Sequence, residues 1–153
     1  MEYGTIERQL RIEASPEVVF AVISDPRHVQ QWWPDEAHYE AVPGSPGEIV
    51  FTGDGGQRIP VAFEVVDAEP PRLFSFRWAH PTGSRPASDN SFLVRFDLTP
   101  EGGGTLLSMV ESGFREQGWD DAVVAETYRD HVQGWDYFLP RIAPHTSTLV
   151  GSR

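Results

Sequence analysis

The segment TIERQLRIEASPEVVFAVISDPRHVQQWWP, residues 5–34, decides the fold because it places one strand directly before two short helices. Within residues 5–13, Ile6, Leu10 and Ile12 share one parity while most of the other positions are polar. This alternation is the period of a β-strand with one buried face. Arg8 breaks the pattern as a cation on the apolar parity. We therefore predict a half-buried first strand that carries one charge in need of a partner.

Two helix starts follow this strand. Ser15-Pro16 and Asp25-Pro26 each combine a capping side chain with a proline at the first helical position. The residues after the first of these starts are apolar on nearly all sides, so the first helix is expected to be buried. The second helix is expected to end at Trp33, because Pro34 disfavours helical geometry in the residue before it.

From residue 47 onward the sequence is typical of strands separated by turns. The connections are mostly of hairpin length, which indicates an antiparallel meander. Together with the first strand, this predicts six strands and an α+β layout. The later strands are predicted at residues 48–51, 58–69, 72–79, 92–98 and 105–112.

A long amphipathic helix is predicted after the strands. It begins near Asp120 and Asp121, whose carboxylates suit the positive end of a helix dipole. Gly134 inside this helix costs about 1 kcal/mol relative to alanine and indicates a close approach to the sheet. Pro140 is expected to end or kink the helix. The apolar stripe consists of Val124, Tyr128, Val132, Trp135, Phe138 and Leu139.

Seven segments in a fixed order carry a family resemblance over nearly the whole chain. They are Ala14–Phe20, Ser24–Pro26, Trp32–Pro34, Glu69–Leu73, Thr99–Thr105, Ser112–Phe114 and His131–Trp135. The residues of these segments resemble those of the helix-grip superfamily of START-like (SRPBCC) proteins, and they are most similar to the activator of Hsp90 ATPase homologue family. The resemblance implies a curved six-stranded antiparallel sheet wrapped around the long C-terminal helix, with an apolar cavity between them. Residues 1–143 are expected to form a single domain, with a flexible tail at 144–153.

Composition and charge exclude several classes of partner. The formal net charge of −11 repels nucleic acid and anionic lipid surfaces. The chain contains no lysine and no cysteine, which excludes a Walker lysine, a Schiff-base lysine, disulfides and thiolate metal sites. No apolar run approaches the roughly 18 residues needed to span a bilayer. A cytoplasmic location is therefore expected.

Aromatic residues dominate the region where the resemblance places the cavity. Ligand pockets are typically apolar and aromatic with a few polar groups, although ordinary cores are aromatic as well. Core packing and ligand contact both stay open for each residue taken alone. The candidate ligand-binding residues are Trp33, Phe51, Phe63, Phe76, Trp78, Phe114, Tyr128, His131 and Trp135.

Three residues are weak catalytic candidates. His131 lies at the edge of the helical stripe, and histidine as a residue type suits either a general base or a structural hydrogen bond. Arg8 needs a partner, and Glu64 and Glu111 on other strands are the candidates, because an unpaired buried charge is very costly. Glu111 is the third catalytic candidate. No histidines have metal-ligand spacing, so neither a metal site nor a cofactor is predicted.

Two further features bear on the cavity. Trp32 and Trp33 both lie within one helical turn of Val29, and we expect Trp33 to face the cavity and Trp32 to pack against the neighbouring helix or rim. The loop at residues 80–91 is long for a hairpin, so it either folds over a mouth of the cavity as a lid or has no such role.

The favoured function is binding of a small hydrophobic or aromatic molecule between sheet and helix, without catalysis. One alternative is a cyclase or dehydratase acting on a polyketide-like substrate, with acid–base groups at the cavity. Another is an interaction protein similar to the Hsp90 cochaperones. A chaperone partner is disfavoured, because the separate N-terminal domain on which activation depends in those cochaperones is not recognisable in this sequence. A homodimer is left open.

Overall fold

The N-terminal strand and both short helices are present in the computed structural model, which describes residues 4–81 and 83–150. Strand β1 (Thr5–Ile12) is followed by α1 (Pro16–Ser24) and α2 (Pro26–Trp32). The Ser15 hydroxyl accepts the backbone N–H of Val18, and the Asp25 carboxylate accepts that of Arg27. The predicted helix starts are therefore confirmed.

All strands of the described chain belong to one antiparallel sheet with the order β1-β7-β6-β5-β4-β3-β2. The six-strand prediction is wrong by one, because the sheet has seven strands. The additional strand, β2, has three residues and pairs only with β3, so it is too short to give a readable alternation. The strands after α2 are β2 (Glu36–His38), β3 (Pro46–Thr52), β4 (Arg58–Glu69), β5 (Leu73–Trp78), β6 (Phe92–Glu101) and β7 (Gly104–Ser112).

Helix α1 packs against β5, β6 and β7 on the apolar face of the sheet. Two side chains satisfy carbonyl groups at its C-terminal end, where a helix has no backbone donors left. The indole N–H of Trp32 donates to the backbone carbonyl oxygen of Val22 at 2.9 Å. The hydroxyl of Tyr39 donates to the backbone carbonyl oxygen of Ser24 at 2.7 Å. Trp32 therefore joins α2 to α1.

The long helix, α3 (Asp121–Phe138), begins where the sequence predicts it. The Asp120 carboxylate accepts the backbone N–H of Val123, and Val124 and Trp135 are buried beneath the helix. Tyr128 fixes the helix to the first strand, because its hydroxyl donates to the carbonyl oxygen of Thr5 at 2.8 Å. These contacts hold α3 over the apolar face of the sheet.

The predicted flexible tail is replaced by a packed helix as far as the structure describes it. A 3₁₀ turn over Leu139–Arg141 leads into α4 (Ile142–Val150). Ile142 and Thr146 are buried. Nε2 of His145 lies 3.0 Å from Nδ1 of His28 in α2. The remainder of the predicted tail, residues 151–153, lies outside the described residues.

Candidate ligand cavity

A cavity of about 120 Å³ lies between α3 and the apolar face of the sheet. Five of its lining residues come from successive turns of one face of α3, because residues three and four apart on a helix are neighbours. The others come from the end of α2, from β3 and from β5. The lining residues are Trp33, Phe51, Trp78, Asp130, His131, Gly134, Trp135 and Phe138.

Three indole rings form the inner wall. Trp33 follows the last residue of α2, and its ring centroid lies 5.1 Å from that of Trp78 and 5.0 Å from that of Trp135. The interplanar angles of these two pairs are 73° and 34°, so the three rings do not share one plane. Asp130 is the exposed residue of this lining, so the cavity reaches solvent beside its side chain. A molecule in the cavity is therefore surrounded by aromatic carbon and reaches solvent beside a carboxylate.

Glu111 lies behind this wall and is completely buried. It occupies the same parity of β7 as the buried residues Leu107 and Met109. The indole N–H of Trp78 donates to its Oε2 and that of Trp135 to its Oε1, both at 2.8 Å. An indole nitrogen can only donate, so both carboxylate oxygens act as acceptors.

His131 supplies the third contact to this carboxylate, with Nδ1 2.8 Å from Oε1 of Glu111. Because that oxygen is an acceptor, we assign the hydrogen of the pair to Nδ1, which leaves Nε2 as an acceptor in the neutral ring. The imidazole packs among aromatic rings, with its centroid 4.6 Å from that of Phe92 and 5.1 Å from that of Phe114. Glu111 and the rings therefore fix the orientation of His131 at the cavity.

The structure brings five of the nine candidate ligand-binding residues together at the cavity: Trp33, Phe51, Trp78, His131 and Trp135. The other four do not line it. Phe63 stacks between Tyr39 and Phe76, with ring centroids 4.4 Å away on each side. Phe114 is fully buried beside Tyr128. Phe63 also borders the groove of about 460 Å³ that is described below.

Sequence reasoning missed Phe138 and Asp130 as lining residues and misjudged Gly134. A Cβ atom built at Gly134 meets no atom within 4 Å, so this glycine is not required by a close approach to the sheet. Gly134 instead lines the cavity, where it adds no side chain. Helical spacing from His131 and Trp135 would have identified Gly134 and Phe138, and Asp130 lies four residues before Gly134 on the same face.

Neither predicted partner of Arg8 is correct. Its guanidinium pairs with Asp136 of α3, with Nε 2.8 Å from Oδ1, and its side chain is 35% exposed. This hydrogen bond raises the pKa of Arg8 further above its ordinary value. Arg8 does not line the cavity, and it lies on β1 at the edge of the sheet.

The loop at 80–91 does not cover this cavity. Gly83, Ser84 and Arg85 instead line a wider groove of about 460 Å³ with Glu48 and Glu64. Glu48 pairs with Ala62 and Glu64 with Pro46, so these strand residues share the parity opposite to that of buried Phe63. The groove thus lies on the other face of the sheet. The lid interpretation is therefore wrong for the described part of the loop.

Metal binding and membrane insertion are two further properties that bear on function. In residues 4–81 and 83–150, no group of three or more His, Cys, Asp or Glu side chains is arranged to hold a metal ion. Over the same residues, none of the helices combines the length and the apolar character needed to cross a membrane.

The comparison with protein families decides the relationship of the chain. The sequence model of the family described as "Activator of Hsp90 ATPase homolog 1-like protein" matches residues 13–145, which is most of the chain. The chain belongs to this AHSA1-like family. The resemblance read from the sequence is thereby confirmed. No curated protein matches the sequence.

Solved structures with the AHSA1-like architecture match almost the whole chain. Protein MLL2253 from Mesorhizobium loti is 26% identical with a TM-score of 0.73, and the match covers 94% of this chain and 97% of that protein. Protein NE0264 from Nitrosomonas europaea is 12% identical with a TM-score of 0.77 and 97% coverage of both chains. The Aha1 dimer from Colwellia psychrerythraea is 21% identical with a TM-score of 0.66, covering 97% of this chain and 98% of that one. These likenesses establish the fold.

Proposed function

We propose that this protein binds a small molecule whose hydrophobic part enters the cavity between α3 and the sheet. The observation that carries the proposal is the 120 Å³ space enclosed by three tryptophans beside the buried Glu111–His131 pair. Cavities in protein interiors are normally small and few, since interiors pack as densely as organic crystals. An open, aromatic-walled space with one oriented polar group is the usual composition of a ligand site.

The size of the cavity limits what it can hold. An engineered cavity of about 150 Å³ binds benzene, so a cavity of 120 Å³ accommodates a group of about that size or slightly smaller. A larger ligand would place one such group inside and extend the remainder past Asp130 and Gly134. Nε2 of His131 offers the ligand a hydrogen-bond acceptor.

The five tryptophans of the chain provide a built-in test. Trp33, Trp78 and Trp135 line the cavity, whereas Trp119 is 40% exposed and lies outside it. In ¹H–¹⁵N spectra, titration with benzene-sized probes should shift the indole signals of the three lining tryptophans and leave that of Trp119 in place. Native mass spectrometry of freshly purified protein should also detect a co-purified small molecule. Probes that shift none of the lining signals, together with a ligand-free mass, would refute the proposal.

A second candidate function is acid–base chemistry on the bound molecule, as in the cyclase or dehydratase alternative. It is favoured by one observation, the hydrogen bond between Glu111 and His131 at the cavity, because a carboxylate-oriented histidine is a common general base. If this function holds, His131→Gln will retain the co-purified compound but will no longer convert it. Equal turnover of that compound by His131→Gln and wild type would exclude it.

Homodimer formation stays a prediction for this chain. The Colwellia protein is described as a dimer, and this chain has its fold. Sedimentation at several protein concentrations would decide whether this protein also forms dimers.

A further inference from the structure

We propose that the group held in the cavity is a small organic cation, specifically a methylated ammonium such as trimethylammonium. This inference rests on the proposed function, because it names the chemical class of ligand for the same cavity. It is carried by three features: the aromatic wall, the carboxylate behind that wall, and the absence of arginine from the lining.

The first feature is the aromatic wall. Five of the eight lining residues are aromatic rings other than histidine, and three of them are tryptophans. Aromatic rings carry negative potential on their faces, and tryptophan attracts a cation more strongly than the other aromatic residues. In a desolvated site this attraction increases affinity by about ten- to thirty-fold over a neutral group of the same shape.

The second feature is the position of Glu111. It accepts hydrogen bonds from the indole N–H groups of Trp78 and Trp135. Its negative charge therefore lies at the edges of two rings that line the cavity. A hydrogen bond from the indole N–H to a carboxylate polarises the indole toward a more negative ring face. The carboxylate thus strengthens the attraction of these two rings for a cation, without itself contacting the ligand.

The third feature is the charge around the mouth. Asp130 is exposed there and makes no ion pair in the part of the chain that the structure describes. No arginine is among the lining residues, and Arg8 is held by Asp136. A cation does lie near the lining, since the guanidinium carbon of Arg141 is 5.9 Å from the centroid of the Phe138 ring. The chain as a whole carries a net charge of −11. A carboxylate or phosphate ligand would therefore be repelled, whereas a cation is attracted toward the mouth.

The hydrogen-bonding capacity of the lining favours a methylated ammonium over a primary one. A primary ammonium carries three N–H donors, and each needs an acceptor when water is excluded. The lining side chains offer only His131 and the Asp130 carboxylate as acceptors. Trimethylammonium needs none, and its methyl groups match the aromatic carbon of Trp33, Phe51 and Phe138.

Choline and 3,3-dimethylbutan-1-ol provide the test, because they have the same shape and differ in whether nitrogen or carbon is at the branched centre. Binding is followed through the indole N–H signals, with all probes compared at the same pH. Choline should shift the signals of Trp33, Trp78 and Trp135 without shifting Trp119, and should bind at least about tenfold more tightly than the alcohol. The anion 3,3-dimethylbutanoate should bind more weakly than either.

Variants on α3 then separate charge from space. Asp130→Asn should weaken choline binding about three- to tenfold and leave the alcohol unaffected, because the charge acts only on the cation. Glu126→Gln is the matched control, since Glu126 is an exposed acid on the same helix that does not line the cavity. Gly134→Leu should block both probes.

Each remaining outcome decides between the two proposals. If the alcohol binds as tightly as choline and Gly134→Leu blocks both, the cation inference is overturned while the cavity function stands. Choline binding that Gly134→Leu does not affect lies outside the cavity and also overturns the inference. If neither probe shifts the lining indoles at millimolar concentration, the inference fails, and native mass spectrometry then decides the cavity function by itself.

Discussion

Gly134 offers the sharpest test of what the space under α3 is for. It lies in the interior of an 18-residue helix, where glycine costs about 1 kcal/mol relative to alanine. Glycine is usually kept at such a position because the chain packs closely or adopts a positive φ. Neither applies here, since a Cβ at Gly134 meets no atom within 4 Å and this glycine is not among those with positive φ.

Gly134→Ala should therefore stabilise the protein by up to about 1 kcal/mol. For a chain of this length, that gain corresponds to a rise in Tm of about 2–4 °C. Gly134→Leu should be no less stable than wild type, because leucine is a good helix former and its side chain enters free space. Both variants reduce the volume of the cavity, so ligand affinity should fall in the order wild type, alanine, leucine. The glycine would then be a position where stability is given up for an open cavity.

Thermal unfolding and probe titration on the same three proteins measure both quantities. The control is Gln133→Ala, a change at the adjacent exposed position of α3 that does not line the cavity. It should leave probe binding unchanged. A fall in Tm for Gly134→Ala would refute the reasoning, because it would reveal a contact that the structure does not contain. Unchanged probe affinity in Gly134→Leu would show that the probe binds elsewhere.

Three further predictions concern the polar groups of the core. Tyr39→Phe should lower the free energy of unfolding by about 1–3 kcal/mol, measured by urea denaturation, because it leaves the carbonyl of Ser24 without its hydroxyl donor while the ring is kept. Unchanged stability would mean that water replaces the hydroxyl. Glu111→Gln should be at least as destabilising by the same measurement, since an amide cannot accept hydrogen bonds at both ends and one indole N–H stays buried without a partner. Wild-type stability in this variant would show that the hydrogen bonds of Glu111 do not stabilise the core. Burial, and then the neighbouring His28, hold the pKa of His145 below its usual range, so the unfolded chain takes up that proton more readily than the folded protein does. The stability that depends on neutral His145 is thus complete above about pH 6.5 and is lost as the pH falls below that value. His145→Gln should flatten the decline in Tm between about pH 7 and pH 5, and an unchanged slope would contradict this assignment.

The elements that could be predicted are those set by local signals. Alternation over eight residues identifies β1, and a cap followed by proline identifies the starts of α1 and α2. Helix α4 gave no such signal, because Pro144 within it is typical of a chain that leaves a helix. Proline is tolerated there since it stands in the first turn, where backbone N–H groups have no helical partner. The helix is held by contacts with α1 and α2, which are distant in sequence.

The candidate site was predictable in composition but not in its pairings. An acid on the inward parity of β7 marks Glu111 as unusual in the sequence, and helical spacing places His131 beside Trp135. Which cation or donor each acid receives depends on how α3 lies across the sheet. With α3 in this position, Arg8 pairs with Asp136, and Glu111 accepts hydrogen bonds from two indoles and an imidazole. A single sequence contains no signal for this choice, because the partners come from separate elements.

Glu111 is difficult to explain by stability alone. A buried carboxylate requires full compensation for its lost hydration, and apolar residues of similar volume are often as stabilising as a buried ionic or polar network. What such residues could not do is fix the rotation of Trp78 and Trp135, whose N–H groups both point at this carboxylate. The orientation of His131 depends on it as well. Glu111 therefore sets the shape and the potential of the cavity wall, and replacing it should change ligand affinity by more than its effect on stability accounts for.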